Sequence, residues 1–272
     1  MRKIRKKNKN RFFLYGAVIC LCVMGVGYSV LTMNLNFQVT AKKKHMNFEL
    51  GEIIYFNPET GKECIDYNDS NSTTGNTRGC MKWYVYDNSN ADYVNVILDH
   101  NTTDIVAWNS SGDNTTMLEV KNALDNDTNT WVYGLNPRLI EANEIATVTK
   151  NTSWNSDTPV AVGSDFFYFD SNTTSESDTC KSSDLTGCKF GWLYDRIWLC
   201  QFSGCPNEEV GGSRFDGYWT SSKATVTNSS GNDQNNIWVV RNTGQLGTQS
   251  PEIAGTNGYG VRPVISISKP LP

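Results

Sequence analysis

Residues 12–31 run for twenty positions without a charge, directly behind seven basic residues: Arg2, Lys3, Arg5, Lys6, Lys7, Lys9 and Arg11. As an α-helix, a run of that length crosses a hydrocarbon core of roughly 30 Å. The basic cluster outweighs Lys42, Lys43 and Lys44 on the far side, which keeps the N-terminus in the cytoplasm. The expected order is therefore a basic cytoplasmic tail at 1–11, a transmembrane signal anchor at 12–32, a tether at 33–48 and an extracellular domain at 49–272. A cleaved signal peptide is the alternative; its apolar region normally spans about 7–15 residues before a small-x-small site, and neither feature is evident. On both readings the remainder folds outside the cell.

Charge and cysteine usage agree with that placement. The chain has 24 Lys and Arg against 28 Asp and Glu; without the seven basic residues of the tail, 17 remain against 28, a formal −11. With no basic stripe in this part, nucleic acid is excluded as a partner, because phosphate binding needs clustered Lys and Arg. Cys20 and Cys22 lie in the apolar run, leaving Cys64, Cys80, Cys180, Cys188, Cys200 and Cys205. Six cysteines allow fifteen connectivities. Short polar loops between neighbours favour 64–80, 180–188 and 200–205 as structural bridges. Sequons at Asn101, Asn114, Asn172 and Asn228 read as a by-product of an Asn-rich composition.

Short runs of aromatic and β-branched residues bounded by Gly, Asn and Ser predict strands at 52–56, 81–86 and 94–99, around 192–194, and in three C-terminal runs. In the first of these C-terminal runs, Gly217-Tyr218-Trp219-Thr220-Ser221-Ser222, alternation sends Tyr218 and Thr220 to one face and Trp219 and Ser221 to the other. The second centres on Trp238. The third is Gly258-Tyr259-Gly260-Val261-Arg262-Pro263-Val264-Ile265-Ser266-Ile267, where Pro263 marks an edge or a bulge. A helix capped by Asn114 or Thr115 carries Met117, Val120 and Leu124 on one face, and a second spans about 141–148 with Ala142, Ile145 and Ala146 inward. Asn-, Ser-, Thr- and Asp-rich stretches at 66–79, 171–187 and 227–235 read as surface turns. Two short helices among mainly antiparallel strands make an α+β domain.

These C-terminal motifs resemble a group of uncharacterised bacterial membrane-anchored surface proteins. More distantly, they are similar to the formylglycine-generating-enzyme and C-type-lectin-like fold. Asn136-Pro137-Arg138-Leu139-Ile140-Glu141-Ala142-Asn143-Glu144-Ile145-Ala146 matches that fold's strand-into-helix segment, usually written Arg-Leu-Pro-Thr-x-x-Glu. The likeness covers roughly residues 50–272 and implies a C-type-lectin-like mixed domain without naming a reaction. Formylglycine-generating enzymes hold copper with two cysteines five positions apart. Cys200 and Cys205 have that separation but precede Tyr218-Trp219, whereas the enzyme's pair follows the equivalent strand, so the oxidase activity is not expected.

Other chemistry is sparse. His45 and His100 are the only histidines, too few for a His-based triad or zinc cluster. Asp125, Asp127 and Asn129 offer alternating oxygen ligands as a calcium loop does, yet the turn glycine and the closing glutamate are missing. Eight tryptophans lie beyond the apolar run. Trp154, Trp198, Trp219 and Trp238 are the candidate ligand platforms, with core packing as the competing role for Trp219 and Trp238. Arg262, flanked by apolar residues, reads as a buried structural cation paired with a carboxylate and backbone carbonyls. The expected protein is an anchored surface protein with no catalytic residues and no cofactor, binding a glycan or a protein. The alternatives are a copper oxidase and a structural envelope component.

Overall fold

The structure is a computed structural model that describes residues 48–64, 79–102, 105–151, 160–161, 167–171, 188–194, 214–252 and 257–269. The first strands lie close to where alternation predicts them: β1 (Ile53–Asn57), β2 (Lys62–Glu63), β3 (Met81–Asp87) and β4 (Tyr93–Leu98). Helix α1 (Glu119–Asp127) follows, then β5 (Arg138–Leu139), α2 (Ala142–Val148), β6 (Val160–Ala161) and β7 (Phe167–Tyr168). The C-terminal part supplies β8 (Arg214–Thr227), β9 (Asp233–Arg241), β10 (Gln245–Gln249), β11 (Asn257–Gly260) and β12 (Pro263–Ser268). Phe48 is already buried, so the folded unit starts at the last residue assigned to the tether. Among the described residues no helix is long and apolar enough to cross a membrane, and residues 12–32 lie outside them.

Two six-stranded sheets result. One has the order β2-β1-β3-β4-β12-β5 and is antiparallel throughout. The other has the order β11-β8-β9-β10-β7, with β6 also pairing β8; β11 and β6 run parallel to β8. The run 258–267, which reads as one strand, is thus divided between the sheets. Its first part pairs with β8 and its second with β4 and β5, and Val261 and Arg262 form the step between them. Pro263, lacking an N–H, opens β12 at this step. It does not lie at a sheet edge, because β12 has a partner on each side.

Alternation in β8 and β9 is confirmed by two separate cores. Tyr218, Trp238, Val240 and Leu246 pack with α2 and with Tyr84, Ile97 and Val264 of the first sheet. Trp219, Ile237 and Val239 pack on the opposite face with Val120 and Leu124 of α1 and with Trp108 and Tyr259. Both faces of the second sheet are therefore covered. The motif 217–222 also ties neighbours together through its polar atoms. Trp219 Nε1 donates to Val106 O (2.8 Å), and Thr220 Oγ1 donates to Trp238 O (2.7 Å). Ser222 Oγ accepts the amide of Ala142 (2.9 Å), one of the donors left over at the start of α2. Gly217 is required because a Cβ there would lie 1.8 Å from the carbonyl oxygen of Val240.

Helix α2 matches its prediction, with Ala142, Ile145 and Ala146 buried and Glu141 and Glu144 forming a capping box. Glu144 also takes a bidentate pair from Arg138 (2.8 and 2.6 Å), and Arg138 donates to the Tyr86 hydroxyl (3.0 Å). Helix α1 starts later than predicted. Leu118 stands at its N-cap without a side-chain bond, Thr115 is held in a turn by Asp113, and Asn114 is buried. The 192–194 region is a 3₁₀ turn (Gly191–Leu193) and not a strand.

That turn exists to face Arg262, which is fully buried. Its Nε donates to Leu98 O (2.6 Å), Nη1 to Leu193 O (2.5 Å), and Nη2 to Asp99 O (3.1 Å) and Trp192 O (2.8 Å). The guanidinium also lies over the Tyr218 ring, 5.2 Å from its centroid. The expected carboxylate partner is not there: among the described residues no acid pairs with Arg262, and the Asp99 side chain pairs with Lys82 (3.3 Å). Burial pushes the Tyr218 hydroxyl up to about 12 although Arg262 pulls it down, so the phenol stays neutral. Four carbonyl dipoles and a ring therefore carry the charge, which suits a planar fork of five donors.

Arg262→Ala would leave four interior carbonyls unpaired at about 1–3 kcal/mol each before relaxation. A loss of about 4 kcal/mol or more is expected in urea unfolding, with Arg262→Lys recovering only a minor part. A loss within about 0.5 kcal/mol, the range for an ordinary surface residue, would contradict the assignment.

Candidate functional site

The β8–β9 hairpin ends in a hydrogen-bonded tip, with β6 paired beside β8 at Val226 and Thr227. Asn228 closes its tip, with Oδ1 accepting the amides of Ser230 (3.0 Å) and Asn232 (2.9 Å), while Thr227 Oγ1 donates to Asp233 Oδ1 (2.9 Å). Residues predicted as a turn at 233–235 are in fact the start of β9, paired with Thr227, Val226 and Thr225. β10 does not follow β9 that far. Its last pair is Gln249 with Ile237. Pro251 then takes the chain away and gives its carbonyl to the amide of Asn109 (3.0 Å).

A notch of about 620 Å³ lies where β10 stops. Gln234, Asn235 and Asn236 of the hairpin line it on one side and Thr248, Gln249 and Ser250 on the other, with Glu252, Gly112 and Arg241 completing the wall. Asp233, Gln234 and Asn235 are exposed. Gly112 has φ of 78°, and a Cβ on it would come within 2.7 Å of Glu252 Oε2. The chemistry is that of neutral amides and hydroxyls, each able to donate and accept. Val226 is the one hydrocarbon side chain in the lining, and no aromatic residue takes part. In the sequence the only signal for this site is the run Gln234-Asn235-Asn236 ahead of an apolar strand.

The residues singled out from the sequence are placed elsewhere. Trp219 and Trp238 are fully buried, one in each core, and do not serve as ligand platforms. Trp154 and Trp198 lie outside the described residues. Asp125 and Asp127 belong to α1, where positions two apart point to different sides, so no calcium loop forms. Asp125 pairs with Lys121 one turn earlier, and Asn129 is exposed. Among the described residues no group of three His, Cys, Asp or Glu side chains could hold a metal ion. Cys64 is bonded to Cys80 as expected. Cys188 is disulfide-bonded, and Cys180, Cys200 and Cys205 lie outside the described residues, as do the bridges 180–188 and 200–205. Asn101 and Asn114, two of the sequon asparagines, are buried; Asn101 donates to Gly217 O (3.2 Å).

Two acids carry perturbed charges, Asp99 buried and Asp127 half-buried. Burial alone would raise Asp99, but His100 (Nδ1 3.7 Å from Oδ2) and the Lys82 ammonium outweigh it and hold the carboxyl well below its usual range. Asp127 has no such partner: its Oδ2 is buried without a hydrogen bond, and burial raises its pKa from 3.8 to about 6 against the pull of Thr102. Neither acid lines the notch. No protein-family model, curated protein or solved structure matches the chain.

Asp127 gives a pH-dependent prediction. A folded pKa above the unfolded one favours the folded state fully below about pH 4, and this contribution is lost as pH rises through about 6. The whole shift would be worth about 3 kcal/mol, and solvent reaching the carboxyl cuts that to roughly 1 kcal/mol. Asp127→Asn should therefore raise stability by about that amount at pH 8 and by little at pH 4 in urea unfolding. An equal effect at both pH values would contradict it.

Proposed function

We propose that this is a single-pass, anchored surface protein whose extracellular domain, a C-type-lectin-like mixed domain, binds a cell-surface polymer without catalysis. The notch at the end of β10 is its ligand site. The observation that carries this reading is the lining: six amide and hydroxyl side chains converge on one open volume with only one acid and one base. Such groups recognise a polyhydroxylated glycan or a polypeptide by exchanging hydrogen bonds. Membrane anchoring is supported by the charge-free run 12–31 behind seven basic residues. The extracellular setting is supported by that same run and by the Cys64–Cys80 bridge, which an oxidising compartment favours.

The full-length protein in detergent, screened against a glycan array and envelope-protein fractions, tests the assignment. Gln234→Ala with Gln249→Ala removes two sets of hydrogen bonds worth about 0.5–1.5 kcal/mol each. Binding should weaken roughly tenfold, equivalent to about 1.4 kcal/mol, with unfolding unchanged. Full binding by this double variant would place the ligand elsewhere.

A further inference from the structure

The notch is also a gap in a β-ladder. β8 and β9 remain paired as far as Thr227 and Asp233, whereas β10 ends opposite Ile237. Residues 233–236 therefore have β8 on one side and, among the described residues, no strand on the other. Alternate N–H and C=O groups of an extended chain point to that open side. The edge is held in place by the hydrogen-bonded tip at Asn228, so little order has to be imposed when a ligand arrives. Exposed edges of this kind are normally blunted by proline, a bulge, a charged side chain or a covering loop. Positions 233–236 read Asp-Gln-Asn-Asn, with no proline or lysine and one charge, Asp233, and Asn114 Nδ2 reaches the inner end, donating to Asn236 O (3.5 Å).

We infer that this edge accepts an extended segment of a partner protein, which adds as a short strand in line with β10. The inference rests on the reading of the notch as the ligand site and names its ligand class. A peptide backbone meets the successive main-chain donors and acceptors at the right spacing, which a sugar ring does not. The lining offers no aromatic face for a sugar to stack on and, with Val226 alone apolar, no deep pocket for a hydrophobic side chain. The partner strand is therefore polar. The lining is balanced between Glu252 and Arg241, and the edge itself adds one exposed carboxylate, Asp233. Lysine or arginine in the incoming segment complements that carboxylate.

The probe is a fluorescein-labelled octapeptide of alternating threonine and lysine, titrated into the full-length protein in detergent and followed by anisotropy. A second peptide has the same sequence with every backbone amide N-methylated, which keeps side chains and charge but removes the ladder donors. The first peptide should bind, the methylated one should bind at least tenfold more weakly, and hydrogen exchange across 233–236 should slow only with the first. Equal binding of the two peptides, or unchanged exchange in that segment, would overturn strand addition. Glycan binding that is lost in the Gln234→Ala, Gln249→Ala variant, with no peptide binding, would also overturn it while leaving the notch as the ligand site. If neither peptide nor glycan binding responds to that variant, both readings fall.

Discussion

A buried cation that no described acid pairs with is the constraint on which this domain turns. Removing a guanidinium from water costs several kcal/mol, and among the described residues carbonyl geometry recovers this. Arg262 meets two carbonyls at the end of β4 and two in the 191–193 turn, and Tyr218 of β8 covers its face. Those partners come from three separate parts of the chain. One side chain thus joins the first sheet, the second sheet and the segment ahead of β8. Lysine, with three donors on a single nitrogen, does not reach four carbonyls in a plane.

The position of Arg262 follows from the division of the C-terminal run. Because Val261 and Arg262 step from one sheet to the other, Tyr259 and Val261 enter the core on one side of β8 while Val264 enters the core on the other. The second sheet is consequently buried on both faces. Among the described residues the second sheet then offers a ligand no open face, and its end, where strands differ in length, stays accessible. The notch beside residues 233–236 is this end, set on a frame that the two cores keep rigid.

Much of this frame is legible in the residues themselves. Alternation in 217–222 assigns Tyr218 and Trp219 to opposite faces, and the apolar spacing of 142–146 gives the inward side of α2, because local periodicity directly encodes those choices. Other features depend on partners distant in sequence. Trp192 and Leu193 resemble a strand by composition, yet their carbonyls are turned to Arg262, some seventy residues later. Arg262 itself reads as a buried cation held by a carboxylate and backbone carbonyls; the carbonyls are present, but which ones has no signature in sequence, and among the described residues no acid joins them. The helix start at Glu119 and not near Asn114 has the same cause: Asn114 is a good cap in isolation and is buried by tertiary packing. The candidate site is least legible of all, since it arises from the different lengths of β9 and β10.

The central claim is that Arg262 is held by interior carbonyls, and hydrogen exchange of its own side chain reads this most directly. In ¹⁵N NMR of the intact protein, the Arg262 Nε–H, bonded to Leu98 O at 2.6 Å, should be resolved and exchange as slowly as the core amides of β4 and β12. Exchange on the timescale of solvent-exposed arginines would mean that the guanidinium is open to water and that another interaction holds the sheets.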